Sequence, residues 1–200
     1  GLLLGGVLKG QELIEQSKIK RVINDLNGLS AAYYSYQDRY RYAPGDDPNA
    51  AGRWPTQIGG TAAAANGDGD GLIGGNANNA FVASATESGY TWQHLRLAGF
   101  VTGEVRTAAL SYTSNSNAFD GRLGIGYNAY ALSANAVCAS VPVKAAEQVD
   151  TQLDDRVPNT GLVRAAATAA LNTAPTAANS ANGAYVVASP EVPWTVCKKL

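Results

Sequence analysis

The stretch "KIKRVINDLNGLSAAYYSYQDRY", residues 18–40, decides the fold. Its apolar side chains follow one another at alternating steps of three and four residues. The stripe comprises Ile19, Val22, Leu26, Leu29, Tyr33, Tyr36 and Tyr40. This spacing puts all of them on one face of an α-helix, with charged and amide side chains in between. We therefore predict an amphipathic helix whose stripe packs on a globular head.

The same helix is expected to be much longer than its stripe. No proline interrupts the chain between Gly1 and Ala43, and Pro44-Gly45 then stops the helix. A helix of some 40 residues is about 60 Å long. That length exceeds the core of a 200-residue globule, so part of the helix is expected to protrude.

The first eight residues, Gly1 to Leu8, are all apolar or glycine. A membrane-spanning helix needs about 20 apolar residues, so this run alone is too short. The chain contains no methionine, and we expect the run to be the end of a longer apolar helix that contacts lipid or other helices. The alternative is an ordinary amphipathic helix with a frayed apolar start.

The composition bounds the function. The chain contains 15 basic and 16 acidic residues, which gives a net charge of −1. No basic surface for nucleic acid is therefore indicated. Charged residues form 16% of the chain, against roughly 25% in an average globular protein. Much of the polarity comes instead from glycine, asparagine, serine and threonine, which favours a loop-rich protein with a small core.

The head is predicted to contain a long connection followed by strands and one more helix. Residues 43–105 are rich in turn-forming residues. Within them the capping-box spacing of Ser84 and Glu87 predicts a short helix that ends at Gly99. Val143, Ala146, Val149 and Leu153 fit one helix face. Strand-like composition marks residues 107–113, 122–132, 163–169 and 184–188.

Cys138 and Cys197 are the only two cysteines, and their spacing fits no C-x-x-C redox or zinc motif. A single pair far apart in the chain favours one disulfide in an exported protein. The alternative is two buried free thiols.

The string "NGDGDGLIGG", residues 66–75, carries the strongest binding motif. Asn66, Asp68 and Asp70 stand at positions 1, 3 and 5 of an EF-hand-like loop, and Leu72 is placed to offer a backbone carbonyl. This set predicts a structural calcium ion. Position 12 is Ala77 rather than glutamate, so water or remote carboxylates such as Asp46 or Asp47 have to complete the shell. The alternative is a flexible glycine-rich turn.

No catalytic constellation stands out. His94 is the only histidine and is expected at the surface or an interface, without a zinc or nucleophile partner. The glycines of "GRLGIGYNAY" lack dinucleotide-binding order. The carboxylates of Asp46-Asp47 and of Asp154-Asp155 are adjacent in sequence and usually diverge, so neither pair alone forms an acid–base dyad. We predict that the protein is not an enzyme.

The apolar start, the amphipathic "KGQELIEQSKIKRVINDLNGLSAAYYSYQDRY" and the Gly/Pro turn together resemble the N-terminal helix of type IV pilins and type II secretion pseudopilins. The resemblance covers mainly Gly1 to Pro48. The segments "PGDDPNAAGRW", "WQHLRLAGF" and "LDDRVPNTGLVRA" are similar to those of long pilin-like proteins of Gram-negative bacteria. The family's cleavage site, methylated first residue and early glutamate are absent, which fits an N-terminally truncated chain.

The pattern of elements predicts an α+β fold in which a long helix packs on a small antiparallel sheet, and the resemblance implies the same layout. Residues 1–17 are then the protruding filament core, and residues 18–42 pack on the head, which is residues 43–200. The head contains the connection 43–105 and a disulfide-bounded region, 138–197, placed after the sheet. Some pseudopilins use calcium to fix a loop of the head.

The implied function is that of a filament subunit that polymerises with itself and with other pilin-like subunits through its N-terminal helix. Before assembly it is anchored in the inner membrane, and afterwards it lies in a periplasmic or cell-surface filament. One alternative is a pseudopilin of a type II secretion system. Another is a membrane-tethered, calcium-dependent adhesin or binding module that does not polymerise.

Overall fold

The computed structural model describes residues 2–74, 80–128, 132–173, 183–188 and 191–200, with only the backbone for residues 2–4. Its elements, in chain order, are α1 (Leu2–Tyr40), α2 (Ala50–Arg53), α3 (Glu87–Leu97), α4 (Ala108–Tyr112), β1 (Leu123–Tyr127), β2 (Asn135–Pro142), α5 (Val143–Leu153), β3 (Val163–Ala167) and β4 (Pro193–Lys199). The fold is α+β, as the sequence predicts.

Helix α1 is a single helix of 39 residues. Six members of the predicted stripe are buried, from Ile19 to Tyr36, and Tyr40 is partly buried against the same core. The helix ends at Tyr40, and Arg41 then adopts a positive φ of 67°. The pattern of threes and fours therefore identified both the helix and its packed face.

The N-terminal part of α1 is more exposed than the rest of the helix. Large apolar side chains are exposed there, with Val7, Leu8, Leu13 and Ile14 each 57–60% accessible. From Gly5 onward, where the side chains of α1 are described, the first buried one is Ile19. Among the described residues, no helix has an apolar stretch long enough to cross a membrane.

The sheet has four strands in the order β1-β2-β4-β3, and each neighbouring pair is antiparallel. β2 and β4 form its centre. Helix α5 follows β2 directly, covers the sheet and leads to β3 at the far side of β4. Val143, Ala146 and Val149 of α5 are buried, which confirms the predicted helix face.

Both faces of the sheet are apolar. On one face Val137, Ala139 and Val141 of β2 join the main core with α1 and α5. On the other face Ala136 and Cys138 pack with Phe81 and Cys197 in a second, smaller cluster. A strand that is buried on both sides has no polar alternation, so the sequence pattern does not indicate β2 or β4 as strands.

Cys138 and Cys197 form a disulfide, as predicted. The two residues are direct partners in the β2–β4 ladder, with a Cα–Cα distance of 4.0 Å. The bond therefore ties together the two central strands. The predicted disulfide-bounded region, residues 138–197, therefore does not follow the sheet, because both cysteines lie in its two central strands.

Two predicted strands are wrong. Residues 107–113 contain helix α4, because the side chain of Thr107 accepts a hydrogen bond from the Leu110 N–H and caps the helix. Residues 184–188 have no strand pairing. The strands predicted at 122–132 and 163–169 are present in shorter form as β1 and β3. Residues 129–131 and 174–182, and Ala77 of the calcium motif, lie outside the described residues.

Candidate functional site

The glycine-rich loop brings two of its aspartates to a cluster of four carboxylates. One oxygen from each of Asp46, Asp68, Asp70 and Glu87 lies within 4.8 Å of the others. The sequence suggests Asp46 as a remote partner of this loop, and the capping-box spacing predicts that Glu87 caps a helix. The loop thus supplies half of the acidic group, and two other segments supply the rest.

Asp46 lies under the loop. It follows the turn that ends α1 and is only 1% exposed. Its Oδ1 accepts a hydrogen bond of 2.7 Å from the N–H of Gly69, and its Oδ2 accepts one of 2.9 Å from Gly71. Both glycines have positive φ, of 81° and 90°, which side chains rarely tolerate. Alternating glycines therefore let the loop curl around the buried carboxylate.

Glu87 closes the loop from the other side. It is the first residue of α3, and its two carboxylate oxygens accept hydrogen bonds from the N–H groups of Asp68 and Gly74. The predicted capping box does not form, because Thr86 precedes the helix without a side-chain cap and the Ser84 hydroxyl contacts Thr86 instead. Glu87 holds the loop rather than the helix end.

The exposed aspartates form local turns. Asp68 Oδ1 accepts from the N–H of Asp70, and Asp70 Oδ1 accepts from the N–H of Leu72. An open depression of about 400 Å³ borders the cluster and is lined by Asp68, Glu87 and Tyr90 among others. The alternation of aspartate and glycine therefore directs both carboxylates toward the same point.

The other two predicted ligands are Asn66 and Leu72. Asn66 is exposed, and its Oδ1 accepts a hydrogen bond from the N–H of Ala51. Leu72 is bound through its N–H to Asp70. Asn66 also lines the depression beside the acidic cluster. Asp47 is not part of the acidic group, since it accepts the Tyr36 hydroxyl and forms an ion pair with Arg53.

The carboxylates of the cluster lie close enough to raise one another's pKa values. Burial raises the pKa of Asp46, and the charge of Asp70 adds to this effect. Burial likewise raises the pKa of Glu87, with smaller contributions from Asp68 and Asp46. Oxygen-rich, acidic surroundings of this kind suit a hard divalent cation such as Ca²⁺, which takes 6–8 oxygen ligands.

His94 is buried, so its predicted surface position is wrong. Its Nδ1 accepts a hydrogen bond of 2.9 Å from the Gly45 N–H, which leaves Nε2 to donate to the Ala65 carbonyl at 2.7 Å. The ring also stacks on Tyr36, with 5.9 Å between centroids. A neutral imidazole thus joins the turn after α1 to the loop before the acidic cluster.

Burial lowers the pKa of His94 to about 4, and the charge of Arg53 adds to the effect. A histidine whose nitrogens are both engaged with the backbone has no free position for a substrate or a metal. The residue therefore holds the turn after α1 against the loop through both ring nitrogens.

Comparisons with protein-family models, with curated proteins and with solved structures find no match for this chain.

Proposed function

We propose that this protein is a structural subunit of a type IV pilus or a related filament and polymerises through its N-terminal helix. The observation that carries the proposal is the asymmetry of α1. Its stripe from Ile19 onward is buried against the head, whereas Val7, Leu8, Leu13 and Ile14 are exposed. Exposed apolar side chains on a protruding helix gain free energy when neighbouring helices cover them.

In this proposal the protein acts by packing. The protruding parts of many α1 helices assemble side by side in a filament core, and the heads form the outer layer. Before assembly the same apolar surface lies in the inner membrane. The resemblance of the helix to pilins and pseudopilins supports this sequence of events.

The first prediction concerns filament assembly. Leu13→Asp and Ile14→Asp, made in the gene of the source organism, should each abolish filaments that contain this protein. An unpaired charge buried between helices costs several kcal/mol. The measurement is negative-stain electron microscopy with gold-labelled antibodies against the head.

Gln37→Asp provides the matched control, because it adds the same charge at an exposed position of α1 beside the packed stripe. It should leave filaments unchanged, and all three variants should unfold at the wild-type temperature. Normal filaments in the Leu13 and Ile14 variants would refute the proposal. Loss of protein secretion without surface filaments would favour a pseudopilin, and monomers that remain at the membrane would favour a tethered binding module.

We also propose that the acidic cluster of Asp46, Asp68, Asp70 and Glu87 binds Ca²⁺ as a structural ion. Its four carboxylates come from three segments of the chain and converge within 4.8 Å. Ordering a loop costs on the order of 1–2 kcal/mol per residue. A bound ion offsets part of that cost and gives repeated subunits the same outer surface.

The second prediction follows from this ion. Millimolar Ca²⁺ should raise the melting temperature of the 200-residue chain, and chelator should reverse the increase. Asp68→Ala and Asp70→Ala should each reduce the increase, while Asp38→Ala, at an exposed carboxylate of α1, should not. Circular dichroism during heating measures all four proteins. If the Asp68 and Asp70 variants respond to calcium like the wild type, the loop is only a glycine-rich turn.

A further inference from the structure

A second group of carboxylates lies at the C-terminal end of α5, at the sheet side of the head. One oxygen from each of Asp150, Asp154 and Asp155 lies within 4.8 Å of the others. Asp150 belongs to the last turn of α5, and Asp154 is its C-cap. Adjacent aspartates usually diverge, but here the end of the helix bends the chain so that both approach Asp150.

Asp150 is the unusual member of this group. Its side chain is fully buried, and its Oδ2 accepts a hydrogen bond of 2.7 Å from the Tyr185 hydroxyl. Its Oδ1 is also buried but has no hydrogen-bond partner. The backbone N–H of Arg156 faces the carboxylate without forming a hydrogen bond that meets ordinary geometry. A buried carboxylate oxygen without a partner is costly, so a proton or a cation has to stabilise it.

The other two aspartates are held in place by the loop that follows α5. Asp154 Oδ2 accepts hydrogen bonds from the N–H groups of Leu162 and Val163. Asp155 accepts from the Val157 N–H and the Thr160 hydroxyl, and these bonds lower the pKa of Asp155. Gly161 has a positive φ of 69°, and a Cβ at this position would overlap the Asp154 carboxylate. The loop is therefore built around two fixed carboxylates.

The nearest arginine in the sequence does not neutralise this group. Arg156 instead binds Glu147, with hydrogen bonds of 2.9 Å and 2.6 Å from Nε and Nη2 to one carboxylate oxygen. None of the ion pairs formed between described residues includes the three aspartates. The partial negative charge at the C-terminus of a helix adds to their repulsion.

We propose that Asp150, Asp154 and Asp155 form a binding site for a divalent cation with oxygen ligands, namely Ca²⁺, which lies apart from the glycine-rich loop. The oxygen ligands of one calcium ion lie close together around it, and one oxygen from each of these three carboxylates lies within 4.8 Å of the others. The ion supplies the partner that Asp150 Oδ1 lacks. Water and backbone carbonyls complete its shell.

Such an ion would fasten the C-terminal part of the head. Asp150 is bound to Tyr185, and the ring of Tyr185 packs on Trp194 of β4 with 5.0 Å between centroids. The site therefore joins the end of α5, the loop that leads to β3 and the segment around Tyr185. The proposal of this calcium site does not depend on the filament proposal.

The test is calorimetric titration of the 200-residue chain with CaCl₂, in a background that carries Asp68→Ala and Asp70→Ala. That background should still bind one calcium ion. Asp155→Asn, at an exposed position, should weaken this binding by at least about tenfold. Asp150→Asn should abolish it while its amide oxygen still accepts the Tyr185 hydroxyl. Asp38→Asn should change nothing.

Thermal unfolding separates a cation from a proton at Asp150. At a calcium concentration about 100 times the dissociation constant, the background protein should melt roughly 5 to 10 °C higher than in EDTA. The Asp150→Asn variant should show no such increase and, in EDTA, should be at least as stable as its parent. If the background protein binds no calcium, or if Asp155→Asn and Asp150→Asn bind it as tightly as their parent, the proposal is wrong. A stabilisation by Asp150→Asn that is the same with and without calcium would show that a proton occupies the site.

Discussion

Replacing Cys138 and Cys197 together by alanine is expected to lower the free energy of unfolding by about 4 kcal/mol. The bond joins residues 59 positions apart, and a crosslink of this span removes much conformational entropy from the unfolded chain. Because domains of this kind are stable by only about 5–15 kcal/mol, the loss is a large part of the total. Urea unfolding of the oxidised wild type and the double variant measures it.

The position of the disulfide means that its loss destabilises the whole sheet. Cys138 and Cys197 are opposite each other on the two central strands and are both almost completely buried. Reduction of the disulfide in the wild type should therefore lower the free energy of unfolding by about as much as the double substitution, since both treatments open the same loop. The single variants Cys138→Ala and Cys197→Ala serve as controls and should match the double variant. A loss below about 1 kcal/mol in all of them would contradict the entropic argument.

The sequence predicts the elements whose pattern is local. The stripe from Ile19 to Tyr40 repeats at helical spacing, and the burial of α1 follows it. Strands β2 and β4 cannot be predicted in this way, because both of their faces pack against apolar neighbours and the sequence shows no alternation. Helix α4 cannot be predicted for another reason. The Thr107 hydroxyl caps the helix there, although threonine and tyrosine residues usually favour strands.

The candidate site divides in the same way. Asp68 and Asp70 follow from the spacing of one short loop. Asp46 and Glu87 reach the cluster only because the turn after α1 and the start of α3 lie beside that loop. The sequence offered a signal for Glu87, an acidic residue in the first turn of a helix, but capping explained it equally well. Side chains that converge through tertiary structure leave no mark in the spacing.

Acidification from pH 6.5 to pH 4 is expected to remove on the order of 3 kcal/mol of stability through His94 alone. Its pKa falls from the ordinary 6.5 to about 4 in the folded protein. Between these values the unfolded chain binds a proton that the folded chain does not, so stability decreases as the pH falls. The contribution is fully present above pH 6.5 and is lost by about pH 4.

The structural reason is the hydrogen bond from the Gly45 N–H to Nδ1. Protonation places a hydrogen on Nδ1, which turns the acceptor into a donor that faces another donor. It also buries a positive charge near Arg53. Both effects act at the junction of the turn after α1 and the loop that carries the acidic cluster.

The variant His94→Gln isolates this effect, because the chain has no other histidine. It should be less stable than the wild type at pH 7, and the difference should shrink as the pH falls from 6.5 to 4. The carboxylates of Asp46, Glu87 and Asp150, of which Glu87 is half-buried, have raised pKa values. Their stability contributions weaken as the pH rises, and they are common to both proteins, so they cancel in the comparison. Urea unfolding at half-unit pH steps gives the two curves, and curves that stay parallel would show that His94 is not the titrating group.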